Sequence, residues 1–119
     1  FRLCPTESGL WGWVGTVLVE GQPVPIRVSY PSGYPGVIPM LETEAVLPSG
    51  CPHILGRNQG RSILCWIAPQ AQHPLRRWNP QRHTAATVIR AAQRWFLAFL
   101  VWEELGIWPV PDAFEVPLR

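Results

Sequence analysis

The side chains best able to do chemistry lie in a Pro-, Gly- and Arg-rich part of the chain. Cys65 is the most prominent of them and lies between Leu64 and Trp66 in a short apolar stretch, residues 62–67. A thiolate is a strong nucleophile, and loops are where such a group becomes accessible. The alternative is a buried thiol that packs beside Trp66, which is the commoner role of a lone cysteine among apolar residues.

The same part of the chain contains all three histidines, His53, His73 and His83. Each imidazole can act as a general base or orient a neighbouring group, and each can equally be a solvated or core histidine. Thiolate and imidazole are also the usual zinc ligands, which makes a zinc site conceivable from Cys51, His53, Cys65 and His73. Structural zinc sites use paired ligands about two to four residues apart, and only Cys51 and His53 are that close. We therefore expect no metal and no other cofactor.

Composition excludes several other chemistries. The chain has 119 residues and a formal net charge of +2, and its ten basic residues are all arginine. Without lysine there is no Schiff base, lysine nucleophile or phosphate-loop lysine. The charge is too small to indicate nucleic-acid binding by itself. A basic loop with Arg76, Arg77 and Trp78, able to stack a single-stranded base, is the remaining argument for such binding.

Cysteine usage and hydropathy favour a cytoplasmic protein. Three cysteines without a CxxC pair are untypical of a disulfide framework. The longest strongly apolar run, residues 95–102, is far shorter than the roughly 20 residues of a membrane span. No signal peptide is recognisable. The chain begins at Phe1 rather than Met, and we expect it to be a fragment or a processed product.

The elements that position these residues are predicted from periodicity and turn signals. Three segments have strand-like patterns, at 11–20, 24–30 and 37–46. Pro25 predicts an edge position for the second strand, or a ladder that starts late. Residues 48–83 are predicted to be irregular, and so long a loop in a small domain is usually functional.

One helix is predicted over residues 84–105, with Thr84 as the N-cap and Gly106 as the C-terminal stop. Its apolar face is expected to comprise Val88, Ala92, Trp95, Phe99 and Trp102. We therefore expect a single α+β domain, residues 1–119, in which an antiparallel sheet packs on this helix.

Three short motifs, in this order, resemble those of the ubiquitin-conjugating enzyme family. Residues 30–39 (YPSGYPGVIP) resemble the proline-rich turn that leads into the family's third strand. Residues 63–65 (ILC) resemble its nucleophile, and residues 78–84 (WNPQRHT) resemble its Trp-Ser-Pro motif with one extra residue. The resemblance extends over residues 11–106.

This resemblance implies a meander of about four strands packed on the main helix, trimmed at both ends. It implies that Cys65 accepts a ubiquitin-like protein as a thioester from an activating enzyme and transfers it to an acceptor amine of a protein substrate. Such chemistry needs no metal or nucleotide on this chain, and neither nucleic acid nor membrane is an expected partner. The trimmed form resembles bacterial relatives linked to ubiquitin-like conjugation in antiviral defence, which is an argument by analogy.

The chain departs from the family at the His-Pro-Asn triplet, which is missing. In the family the Asn lies about eight residues before the Cys and helps to stabilise the oxyanion. Asn58 lies seven residues before Cys65 and is one candidate for that role, and His53 and His83 are the others. The alternatives are an inactive variant of the same fold that acts as a binding adaptor, and a small zinc- or nucleic-acid-binding module.

Overall fold

The computed structural model describes residues 1–5, 11–34, 37–67, 79 and 81–109. These residues form one sheet, in the order β1-β2-β3-β4-β6-β5, in which all neighbouring strands are antiparallel. The α+β class and the antiparallel sheet are confirmed, but the sheet has six strands where about four were expected. The elements are β1 (Arg2–Pro5), β2 (Trp11–Val19), β3 (Gln22–Ser29), β4 (Met40–Thr43), β5 (Ile54–Asn58), β6 (Arg61–Leu64) and α1 (Ala85–Leu105).

The β2–β3 hairpin closes with a two-residue turn. Val19 pairs with Gln22, and the intervening Glu20 and Gly21 have φ angles of 51° and 77°. Two residues with positive φ form the turn whose twist matches antiparallel strands. Pro25 lies inside this hairpin, but the β3–β4 ladder begins only at Arg27. The ladder therefore starts late, as predicted, while the edge position is wrong because β3 lies between β2 and β4.

The irregular segment predicted at 48–83 contains a second hairpin, which corrects that prediction. Asn58 pairs with Arg61 across Gln59 and Gly60, whose φ angles of 51° and 82° again fit a two-residue turn. The pairing register shifts between Ile54 and Gly56. This bulge and the polar residues of β5 mask the alternation on which sequence patterns depend. The third predicted strand is also shorter than 37–46, and the four-residue β1 was not predicted.

The core lies between α1 and one face of the sheet. Val88, Ala92, Trp95 and Phe99 are buried and Trp102 packs against them, so the predicted helix face is confirmed. The sheet contributes buried aliphatic side chains from four strands, among them Val17, Ile26, Val28, Leu41 and Leu64. Burying such side chains contributes about 1.5–3 kcal/mol each, so this contact holds the helix on the sheet.

Both ends of α1 are where the sequence predicts them. The backbone N–H of Thr84 donates to Thr87 Oγ1 at 3.0 Å, which satisfies an N-terminal donor. Gly106 has a φ of 75°, and its N–H donates to the carbonyl of Trp102 at 2.7 Å. Within the described part of the chain, no helix is long and apolar enough to cross a membrane.

Candidate functional site

Cys65 directly follows β6, at the open end of the β5–β6 hairpin. Its backbone N–H donates to the carbonyl of His53 at 2.9 Å, which extends the hairpin pairing by one bond beyond Ile54 and Leu64. Cys65 is partly buried as a residue. The nucleophile candidate therefore has a fixed backbone and is not fully enclosed by the core, and a covalent step requires a nucleophile that is both positioned and reachable.

The peptide that holds Cys65 is itself held by the helix. The carbonyl of His53 also accepts a hydrogen bond from the indole N–H of Trp95, at 3.3 Å. His53 has a φ of 62°, in the left-handed region that costs a residue with a side chain about 1–3 kcal/mol. Its ring lies 4.8 Å from that of Trp108, centroid to centroid. Packing from α1 and from the segment after it thus maintains the backbone beside Cys65.

The Cys65 side chain lines an apolar groove with a volume of about 230 Å³. One wall comes from the segment that joins β3 to β4, including Val37 and Pro39, and the other from β6 and Leu55. The described residues along this groove carry no charged side chain. The indole N–H of Trp66 donates to the carbonyl of Pro39 at 3.0 Å and so ties the two walls together. This groove suits an extended, uncharged chain segment whose reactive end reaches the thiol.

Asn58 lies at the opposite end of the same hairpin. Its Nδ2 donates to Glu42 Oε2 at 3.1 Å, and Arg61 Nε lies 3.5 Å from the same oxygen. Arg61 and Cys65 are four positions apart, which is about 13 Å along a strand. The structure therefore does not bring Asn58 to Cys65. The separation of seven residues in sequence did not predict this distance, because the Gln59–Gly60 turn lies between Asn58 and Cys65. The hairpin that this turn closes places His53, rather than Asn58, beside Cys65.

His83 is buried immediately before the N-cap of α1. Its Nδ1 accepts the backbone N–H of Asn79 at 2.8 Å, and its own backbone N–H donates to the carbonyl of Asn79 at 2.8 Å. Burial, and to a lesser extent the positive charge of Arg82, lower the pKa of His83 below its ordinary value. The imidazole is therefore neutral near pH 7, and its Nδ1 anchors the turn that enters the helix.

The remaining zinc candidates do not form a described metal site. Cys51 packs against the core, and burial and the charge of Glu103 raise the pKa of its thiol. His73 lies outside the described residues, as do Arg76, Arg77 and Trp78. Among the residues that are described, no group of three or more His, Cys, Asp or Glu side chains is placed to hold a metal ion.

Two residues that sequence reasoning missed are Trp95 and Trp108. Trp95 was predicted only as a core residue, although a buried indole N–H usually requires an acceptor, and this requirement was the available signal. Comparison of the chain with protein-family models, with curated proteins and with solved structures finds no match. The residues and geometry around Cys65 are therefore the basis on which a function is proposed.

Proposed function

We propose that this protein is a conjugating enzyme that carries a ubiquitin-like protein as a thioester on Cys65. The observation that carries the proposal is the position of Cys65, at the open end of a hairpin and in an apolar groove. One wall of that groove belongs to the proline-rich motif that resembles the ubiquitin-conjugating enzymes. The order of the motifs along the chain supports the same class.

The proposed reaction has two acyl transfers. The Cys65 thiol loses its proton, and its sulfur attacks the thioester carbonyl that joins the ubiquitin-like protein to an activating enzyme. The tetrahedral intermediate collapses by breaking the bond to the activating enzyme's sulfur, which leaves as a thiolate and takes up a proton. An acceptor amine of the protein substrate then attacks the new thioester. An amide forms and the Cys65 thiol is released.

The surrounding residues have distinct roles in this proposal. The apolar groove binds the C-terminal segment of the ubiquitin-like protein and excludes water that would hydrolyse the thioester. Trp95 and the His53 carbonyl fix the backbone of Cys65 so that its sulfur meets the carbonyl carbon in one orientation. Of the three candidates for the oxyanion role, we favour His53, because the hairpin places its backbone beside Cys65. Its carbonyl only accepts hydrogen bonds, so the proposed donor to the oxyanion is its imidazole.

The test traps the covalent intermediate. The tagged chain is isolated from cells of its own organism under denaturing, non-reducing conditions, and adducts are identified by mass spectrometry. We expect a partner-sized adduct on Cys65 that a thiol reductant removes. In Cys65→Ser the adduct becomes an oxygen ester that resists the reductant, and Cys51→Ala is the matched control that retains the wild-type adduct. An adduct that persists in Cys65→Ala would overturn the proposal.

One observation favours a second candidate, an inactive relative that acts as a binding adaptor. Asn58 bonds Glu42 at the far end of the hairpin, so the residue counted as closest to the family's asparagine does not meet Cys65. An adaptor would capture the same partner without a covalent bond. If Cys65→Ala recovers the partner as efficiently as the wild type and neither carries an adduct, the adaptor role is the correct one.

A further inference from the structure

The outer face of α1 has a seam of residues spaced alternately by four and three positions. This spacing is the one by which two helices pack along each other with a slight supercoil. Leu97 and Leu100 lie at its centre and are 45% and 36% exposed, although α1 buries an apolar face of its own in the core. The seam comprises Ala86, Arg90, Gln93, Leu97, Leu100 and Glu104.

Charge is distributed unevenly on and beside this seam. Arg90 and Arg94 lie toward the N-terminal side of the leucines, and Glu103 and Glu104 lie in the last turn, which contains no basic residue. Negative charge near a helix C-terminus opposes the helix dipole, and positive charge there is the stabilising arrangement. The two glutamates therefore weaken the isolated helix, and an intermolecular contact is a physical reason for their placement.

A groove of about 580 Å³ runs beside the seam, between the helix and the β2–β3 turn. Leu97, Leu100 and Val101 line it together with three glutamates, two from the last turn of α1 and Glu20 from the turn. Its occupant must therefore present apolar side chains and positive charge together. The N-terminal half of the same helix, with Arg90 and Arg94 beside Leu97, has that chemistry in a second copy of this chain.

We propose that two copies pair through antiparallel α1 helices around a two-fold axis near Leu97. The leucines of the two copies then meet at the centre, and the arginines of each copy lie opposite the glutamates of the other. A parallel pair would place like charges together, so the charge pattern selects the antiparallel orientation. A two-fold contact uses the same patch on both copies, which a single self-complementary helix provides.

This pairing is independent of the proposed function. Trp95, which bonds the His53 carbonyl, belongs to the buried face of α1, whereas the seam lies on the opposite face. One helix on each side forms a smaller contact than the roughly 800 Å² per partner of a standard interface. The dimer is therefore expected to be concentration-dependent rather than permanent.

Sedimentation velocity of the purified chain, from micromolar to millimolar concentration, tests the inference. We expect the wild type to shift from monomer to dimer across this range and Leu97→Glu to remain monomeric. Val46→Glu, at a side chain that is 95% exposed outside the seam, is the matched control and should dimerise like the wild type. Far-UV circular dichroism establishes that each variant keeps its helix.

A charge exchange tests whether these charged residues hold the pair together. The double variants R90E/R94E and E103R/E104R should each be monomeric, because each then presents a single sign of charge along the seam. Their equimolar mixture should recover a heterodimer. A wild type that stays monomeric throughout the range, a dimer that Leu97→Glu does not weaken, or a mixture without heterodimer would each overturn the proposal.

Discussion

The two ends of the β5–β6 hairpin differ in burial, in charge and in hydrogen bonding. At the open end, Cys65 is partly buried, lines a groove whose described residues are uncharged, and is fixed through its backbone to His53. At the turn end, Glu42 is 2% exposed and its carboxylate holds both Asn58 and Arg61. A site for chemistry needs an accessible, fixed nucleophile, whereas a buried carboxylate with two partners fixes strand register. The comparison therefore favours the open end for the proposed chemistry and assigns structural support to the turn end.

The largest expected effect is a difference in thioester formation between variants at the two ends of the hairpin. Cys65→Ala should abolish thioester formation while leaving the unfolding free energy nearly unchanged, because the side chain lost is small and partly exposed. Asn58→Ala should retain most of the rate, since Asn58 bonds Glu42 rather than Cys65. Single-turnover charging, normalised to folded protein, measures both. Loss of an oxyanion donor would instead lower the rate about 100–1,000-fold, and such a loss in Asn58→Ala would contradict the comparison.

The next effect concerns stability at the turn end. Glu42→Gln should lower the unfolding free energy by about 3–5 kcal/mol, because it leaves the buried guanidinium of Arg61 without its carboxylate. Urea denaturation measures this loss. Glu44→Gln is the matched control, because Glu44 lies two positions after Glu42 and is exposed. It should change the unfolding free energy by less than about 0.5 kcal/mol. Equal losses in the two variants would mean that the buried pair does not stabilise the hairpin.

The residues behind these two predictions were not equally predictable from the sequence. The face of α1 was predictable because a 3.6-residue period acts over short distances. Cys65 was singled out from a short motif, and its role stays a prediction. The partners of Asn58 were not, because they depend on a hairpin whose bulge and polar residues hide its alternation. Glu42 looked like an ordinary charged strand residue, and its burial became visible only when the neighbouring strands were placed. Long-range pairing was thus the information missing from the sequence.

A smaller effect should appear at the hydrogen bond that joins the helix to the open end. Trp95→Phe keeps an aromatic ring in the core but removes the donor to the His53 carbonyl. We expect a loss of about 1 kcal/mol in unfolding free energy and a few-fold faster alkylation of Cys65, because the backbone beside it is less restrained. Trp102→Phe, at the edge of the same core, is the matched control.

Alkylation distinguishes a positioning role for Trp95 from a purely structural one. Iodoacetamide modification is followed by mass spectrometry at Cys65 and, in the same sample, at Cys4 and Cys51. General loosening of the fold would accelerate modification of the partly buried Cys51 as well. A selective change at Cys65 supports a positioning role, and an unchanged Cys65 rate in Trp95→Phe would show that the indole bond does not restrain the site.

The smallest effect is a pH dependence that arises at His83, away from both ends of the hairpin. Burial and Arg82 lower its pKa in the folded chain, so the folded state binds this proton less readily than the unfolded state. The contribution of His83 to the unfolding free energy should therefore be fully present above a pH of about 6.5, the pKa of a histidine in the unfolded chain. It should decrease as the pH falls below that value. His83→Asn can still accept the Asn79 N–H but does not titrate in this range.

Urea titrations of both proteins between pH 7 and pH 5 cover roughly the range over which an unfolded histidine is protonated. If the unfolding free energy has the same slope against pH in both proteins, then His83 does not produce this dependence. A smaller slope in the variant would locate the proton-sensitive contact at the entry to α1, on the helix that also bonds the peptide beside Cys65.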